Sequence, residues 1–302
     1  MEQPTYPCVP KLDRIAVCGL GLIGGSVLKA LQAARHAGHL TGYDIDPCAM
    51  RQALQGGWIH QACDTPDALF ADNDLVVLCQ PVGALVSFAA SQQARIAAGR
   101  AIVVDVASVK GPVARALQGS EAARHFVPCH PIAGRAAAGW GASQADLFQQ
   151  RLCIMTPGEG TSLHAIAFAR AFWALLGSRV CVMEPGDHDR VYAAISHMPQ
   201  VLSYAYLHSL ATRADAGRWL DYRGTGFETF SRLGASDAQL WADIAAHNAQ
   251  PVIDEIDRIT DALGLFRHLL AQQQAPELAQ AFALAQRFHA RTGQAGAPAP
   301  HA

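Results

Sequence analysis

DRIAVCGLGLIGGSVLKALQAA, from Asp13 to Ala34, joins a short apolar run to a glycine-rich turn and then to an amphipathic stretch. Ile15 to Cys18 read as a strand, and Ile23, Val27, Ala30, Leu31 and Ala34 recur at helical intervals. Between them Gly19, Gly21 and Gly24 stand at G-x-G-x-x-G spacing. Each glycine has a physical task. Gly19 permits the sharp turn, Gly21 lets a ligand's pyrophosphate approach the backbone, and Gly24 lets helix and strand pack closely. Leu22 and Ile23 open the helix, whose free N–H groups and positive dipole end face the phosphates.

The context strengthens the motif. A second apolar strand, Leu40 to Tyr43, ends at Asp44, about 20 residues after the last glycine, where a carboxylate accepts hydrogen bonds from ribose hydroxyls. That carboxylate repels a 2′-phosphate, so NAD is expected over NADP, with Arg51 nearby as the one feature that keeps NADP possible.

Strand signals continue at Leu75 to Cys79, Ala101 to Val106, Phe126 to Cys129, Leu152 to Thr156 and Val180 to Met183, with helical patterns such as 47–55 and 82–98 between the early ones. This alternation predicts an α/β fold with a mainly parallel, doubly wound sheet. Ligands on such sheets sit beyond the strands' carboxyl ends. Gln80 and Pro81 follow one strand and are expected to border the cofactor ribose. Ser108 follows the next, and His130, in His130-Pro131-Ile132-Ala133-Gly134, follows the third, at the ligand edge.

From Glu184 the pattern becomes helical throughout. Val191, Ile195, Met198, Leu202 and Ala205 form an apolar stripe, interrupted by Ser196-His197-Met198-Pro199-Gln200, where Pro199 predicts a kink. A polar loop from Asp221 to Thr229 comes next, then a capping box at Ser236 and Gln239, and long helices opened by Pro251 and Pro276. The expected division is a dinucleotide-binding domain over 12–184, a helical substrate and dimerisation domain over 185–290, and a disordered Pro/Ala/Gly-rich tail over 291–302. The long apolar faces exceed what one small bundle needs, which predicts a homodimer through the helical domain.

Composition excludes other classes. A formal net charge of −2 over 302 residues leaves no footprint for nucleic acid. No apolar stretch reaches ~20 residues and the N-terminus lacks a signal-peptide pattern, so a cytoplasmic protein without membrane spans is expected. The eight cysteines are scattered, five of them in apolar strand-like runs, with no C-x-x-C pair, so no metal is expected.

Asp105-x-x-Ser108-x-Lys110, His130-Pro131-Ile132-Ala133-Gly134, Ser196-His197-Met198-Pro199-Gln200, Gly226-Phe227-x-x-Phe230-Ser231-Arg232 and Leu240-Trp241-x-Asp243-Ile244, in this order behind the glycine loop, resemble the prephenate/arogenate dehydrogenase family of tyrosine biosynthesis. The resemblance covers roughly residues 12–290. It implies NAD(P)-dependent oxidative decarboxylation of a cyclohexadienyl acid to a 4-hydroxyphenyl product and CO2. His130 matches the family's catalytic His, which accepts the ring hydroxyl's proton as hydride leaves the same carbon, and Ser108 matches the Ser that aligns both. Arg232 matches the arginine that binds the side-chain carboxylate, while Ser196 and His197 line the ring pocket.

Two departures from the family pattern stand out. Gln200 replaces a frequent second His, and an amide carbonyl accepts from an ammonium as a protonated His cannot, so arogenate is expected over prephenate. Glu228-Thr229 replaces a frequent Arg-Asp, which puts the loop's ion pairing and active-site closure in question. About a dozen residues precede the first strand, so no fused mutase is expected. The short tail likewise predicts no regulatory domain, so feedback by tyrosine is expected at the active site. Competing readings are a β-hydroxyacid dehydrogenase, opposed by the absence of lysine after Lys110, and a non-catalytic NAD-responsive protein, opposed by the retention of Ser108, His130 and Arg232 together.

Overall fold

The computed structural model describes residues 12–135 and 137–292. Helices and strands run in the order β1 (Arg14–Cys18), α1 (Leu22–Ala33), β2 (His39–Tyr43), α2 (Pro47–Gln55), β3 (Gln61–Ala62), β4 (Leu75–Leu78), α3 (Val82–Ser91), α4 (Gln93–Ala98), β5 (Ile102–Asp105), α5 (Gly111–Leu117) and β6 (Phe126–Val127). The six strands form one sheet ordered β3-β2-β1-β4-β5-β6, every pair parallel. Strand order reverses between β1 and β4, which opens a ligand crevice at their carboxyl ends.

Both faces of this sheet are covered, which is why its strands read as continuous apolar runs. Ile15 and Val17 point into one core with Val27, Leu28 and Leu31 of α1; Ala16 and Cys18 point into the other with Leu85 of α3 and Val113 of α5. Burying each large aliphatic side chain contributes about 1.5–3 kcal/mol, so α1 alone is held by several such terms.

The strand expected over Phe126 to Cys129 is two strands in two sheets. Pro128 has no N–H to continue the ladder, and the chain turns into β7 (Cys129–Pro131). β7 pairs antiparallel with β8 (Leu152–Met155), and β8 pairs parallel with β9 (Arg179–Val182), with α6 (Leu163–Leu175) packed alongside. His130 therefore lies within a strand, opposite Ile154, and not beyond a strand end. The helix expected over 82–98 is interrupted at Gln92, and β3 was not anticipated because two residues carry no periodicity.

Beyond β9 the described residues hold no further strand: α7 (Pro185–Tyr192), α8 (Met198–Ala211), α9 (Ala216–Trp219), α10 (Thr225–Ser231), α11 (Ala238–His247), α12 (Ala249–Ala271) and α13 (Ala275–Thr292) follow. The expected kink at Pro199 is a wide π turn, Ala193–His197, joining α7 to α8 and absorbing the hydrogen bond that proline cannot donate. The loop expected over 221–229 contains the start of α10, and Asp237, not Ser236, caps α11 by accepting from the Leu240 N–H. Helix α13 runs through Thr292, so residues 291 and 292 of the expected tail are helical; the rest of that tail, 293–302, lies outside the described residues, as does Cys8. The seven described cysteines are free, and no helix among the described residues is long and apolar enough to cross a membrane.

Candidate active site

The turn after β1 has the geometry its glycines require. Gly19 adopts φ +93°, and a Cβ there would stand 2.8 Å from the Cys79 carbonyl oxygen. A Cβ on Gly24 would collide with the Gly19 carbonyl. Gly21 differs: nothing of the protein lies within 4 Å of where its Cβ would be, so the space beside it is open to a ligand. Gly21 is also the N-cap of α1 and offers no side chain to the first-turn N–H groups, which half-buried Leu22 and Ile23 present to the same opening.

Asp44 stands across this opening. One carboxylate oxygen accepts the Leu20 N–H and the other the Asp46 N–H at 2.8 Å, so β2 and the glycine turn are tied together through it. Leu20, Gly21, Asp44 and Trp140 line a cavity of about 350 Å³. At the end of β4 the Gln80 side-chain amide oxygen, Oε1, is buried without a partner, and Pro81 caps α3. An open phosphate cradle, a carboxylate opposite it and an orphaned acceptor at the crevice fit a dinucleotide.

A chain of buried polar groups continues from the crevice. His130 Nδ1 lies 2.9 Å from His188 Nε2, and His188 Nδ1 lies 2.8 Å from Asp189 Oδ1. Asp189 also accepts the backbone N–H groups of Lys110 at 2.8 Å and Gly111 at 2.7 Å. The Lys110 ammonium, wholly buried, pairs with Asp105 and donates to the Cys129 carbonyl at 2.6 Å, binding the end of β5 to the start of β7. Tyr192 walls the two imidazoles, with ring centroids 4.8 Å from His130 and 4.6 Å from His188. Burial, then the charges of His188, Lys110 and His197, hold His130 well below its ordinary range, so its ring is neutral at pH 7. Burial also lowers His188. At Asp189 burial acts upward but is outweighed by hydrogen bonds from His188, Lys110 and Gly111, which keep the carboxylate ionised.

The helix α7–α8 is turned opposite to its apolar stripe. Val191 and Ile195, expected inside, are 39% and 67% exposed, while His188, Asp189, His197, Gln200 and Ser203 are buried. The π turn shifts the register so that Met198 faces inward despite this. Asn248, at the junction of α11 and α12, donates to the Asp189 carbonyl at 2.9 Å and to His197 Nδ1 at 3.1 Å. His197 Nδ1 is thereby an acceptor, its proton is on Nε2, and that buried Nε2–H has no partner. Burial depresses His197 to about 4. Trp241 packs partly into the core and also meets the His197 ring edge-on at 6.1 Å.

Other expected residues stand apart from this chain. Gln200 donates its amide N–H to the Leu233 carbonyl at 2.6 Å, linking α8 to the segment that follows α10. Arg232 is exposed and lines a separate cavity of about 650 Å³ with Pro199, Gly226 and Phe230. Ser108 and Ser196 are half-buried; the ring partner of His130 is His188, not Ser108. Glu228 pairs with Arg223 at 3.7 Å, so the loop does carry an ion pair, between exposed side chains.

Residues 27–182 match the family described as prephenate dehydrogenase, nucleotide-binding domain, and residues 184–284 match prephenate dehydrogenase, dimerization domain. The chain belongs to the prephenate dehydrogenase family. It is accordingly an oxidoreductase with a nucleotide-binding half. Among its relatives, a cyclohexadienyl dehydrogenase of Zymomonas mobilis is 31% identical over 89% of this chain and 92% of the relative. The crystal structure of Aquifex aeolicus prephenate dehydrogenase, in complex with hydroxyphenyl propionate and NAD+, superposes with a TM-score of 0.86 at 26% identity, covering 94% of this chain and 99% of that one. A Synechocystis arogenate dehydrogenase structure gives 0.75 at 27% identity over 93% and 100%.

Within this prephenate dehydrogenase fold the sequence reading overlooked His188, Asp189, Tyr192 and Asn248. A signal existed for the first two: an adjacent His-Asp pair at the start of a helix otherwise judged by its apolar stripe. Asn248 carried none, because its role depends on a contact 59 residues away along the chain.

Proposed function

We propose that this chain oxidises and decarboxylates a cyclohexadienyl acid, with His130 as the proton acceptor, NAD preferred to NADP, and arogenate preferred to prephenate. The observation that carries the reading is a buried, neutral His130 with one ring nitrogen bonded to His188 and the other left for a substrate. A dinucleotide held by the glycine turn and Asp44 would supply the hydride acceptor for the substrate's ring carbon. His130 takes the proton of the hydroxyl on that carbon, and Ser108 holds the hydroxyl toward it. Loss of the ring carboxylate as CO2 aromatises the product and makes the reaction effectively irreversible.

The unpartnered Nε2–H of His197 supplies a donor for a substrate oxygen, since a buried donor without a partner costs about 1–3 kcal/mol until one arrives. Ser196 lines the same ring pocket, and Arg232 binds the side-chain carboxylate through its planar fork. Asp44, by its charge, favours the ribose hydroxyls of NAD, with Gly19, Gly21, Leu22, Ile23, Gly24, Gln80 and Pro81 completing the cofactor site. Gln200 gives one amide N–H to Leu233 and keeps its carbonyl oxygen as an acceptor, which the ammonium of arogenate can donate to and a keto group cannot.

We read residues 12–184 and 185–290 as the two domains and the assembly as a homodimer. Leu263, Leu270, Phe282, Leu284 and Phe288 leave an apolar face on α12 and α13 exposed in the single chain, and that face would be covered in the pair. Reduction of NAD and of NADP with each of the two acids tests the whole reading. Turnover fastest with arogenate and NAD is expected. A Gln200→His variant with an unchanged ratio of kcat/KM between the acids would overturn the role given to Gln200, and no turnover in any of the four pairings would favour the NAD-responsive binding protein.

A further inference from the structure

We propose that His188 and Asp189 are positioning residues that fix the tautomer of His130, holding its proton on Nδ1 so that Nε2 presents a lone pair to the substrate hydroxyl. This rests on the reading of His130 as proton acceptor, and it explains why that imidazole works in one orientation only.

The direction of the chain follows from what each group can donate. An ionised carboxylate only accepts, so the 2.8 Å contact with Asp189 Oδ1 places a proton on His188 Nδ1. A neutral His188 then has an unprotonated Nε2, and the 2.9 Å contact requires His130 Nδ1 to donate to it. His130 Nε2 is left as the base. Asp189 is itself held from outside the pair, by the N–H groups of Lys110 and Gly111, and cannot swing away without leaving both unpaired. The ionisable groups acting on this pair from neighbouring elements are the Lys110 ammonium with Asp105, and His197, while Tyr192 packs its ring against both imidazoles. Burial, with the Lys110 ammonium acting in the same direction, disfavours charging His188 and outweighs the opposite pull of Asp189 and Asp105, which keeps it in the single neutral form the relay needs. The rings of His130, His188 and Tyr192 pack against one another, so neither imidazole is free to flip.

The test combines a spectroscopic reading with a rescue. In full-length protein labelled with 15N-histidine, the His130 signals, assigned by their loss in His130→Gln, report which ring nitrogen is protonated. The expected result is protonated Nδ1 in the wild type, retained in His188→Gln, whose carbonyl accepts from His130 while its amide donates to Asp189, and lost in His188→Leu. In parallel kcat should fall about 100-fold or more in His188→Leu and stay within about tenfold of wild type in His188→Gln, with KM little changed in either. A wild-type His130 protonated on Nε2 would overturn the proposal, as would a folded His188→Leu enzyme with kcat within about threefold of wild type. Should His188→Leu fail to fold, the wild-type tautomer and the His188→Gln variant decide. A wild type inactive on both acids would overturn the functional reading alone, because the tautomer is measured without substrate.

Discussion

The Asp189 carboxylate, on the first helix of the helical half, accepts the backbone N–H of Gly111 at 2.7 Å across 78 residues of sequence. The short helix α5 has no capping side chain of its own, so this distant carboxylate serves its first turn and joins the two halves beside His130. A Cβ on Gly111 would stand 2.8 Å from Asp189 Oδ2. Gly111→Ala is therefore expected to displace the carboxylate and destabilise the protein by about 1–3 kcal/mol, seen as a lower urea midpoint.

Lys110 and Asp105 form an ion pair with both side chains wholly buried. Lys110→Met removes one partner, leaves the other charge unpaired, and frees the Cys129 carbonyl at the head of β7. The expected cost is about 3–5 kcal/mol in chemical denaturation. Replacing both residues by apolar ones should cost less than Lys110→Met alone, since no buried charge then remains.

His130, His188 and His197 all have depressed pKa values in the folded chain, with burial as the leading cause. The unfolded chain binds their protons at higher pH than the folded one, so their contribution to stability is complete above about 6.5 and is lost as pH falls. For His197 the window runs from about 6.5 down to about 4, a loss of about 3 kcal/mol for that residue alone. Thermal melts between pH 7 and pH 4 should show the decline, and His197→Gln should flatten it.

Activity should follow the same sign. His130 accepts a proton only when neutral, so kcat/KM is expected to rise with pH and level off below the unperturbed histidine value of ~6.5. A pH–rate profile with an acid limb centred above 7 would contradict the assignment of the limb to His130.

Asp44 accepts from the glycine turn through one oxygen and from the Asp46 N–H through the other. Asp44→Ala removes both the charge that opposes a 2′-phosphate and a brace of the turn. KM for NAD should rise about tenfold, roughly 1.4 kcal/mol, while the ratio of kcat/KM between NAD and NADP falls. Steady-state kinetics with both dinucleotides would show whether the two effects separate.

The dinucleotide-binding half was legible along the chain because each of its signals is local. The glycine turn, the apolar runs buried on both sheet faces and the acidic residue closing β2 are each set by residues within a few positions, and their alternation with helices gives the parallel sense of the main sheet, though not β3 or the separate sheet that takes β8 and β9. The placement of His130 was not local: Pro128 ends one ladder, and only pairing with β8, more than 20 residues on, shows that the imidazole begins a second sheet. The helix α7–α8 shows the limit most directly. Periodicity assigns burial by apolarity, yet here Ile195 faces out and His188, Asp189, His197 and Gln200 face in, because their polar atoms find partners on α5, at the junction of α11 and α12, and on the segment after α10. Backbone propensity and apolar spacing thus determined the elements, whereas the arrangement of the buried histidines was decided by hydrogen bonds between distant segments, which offset a desolvation cost that no local pattern records.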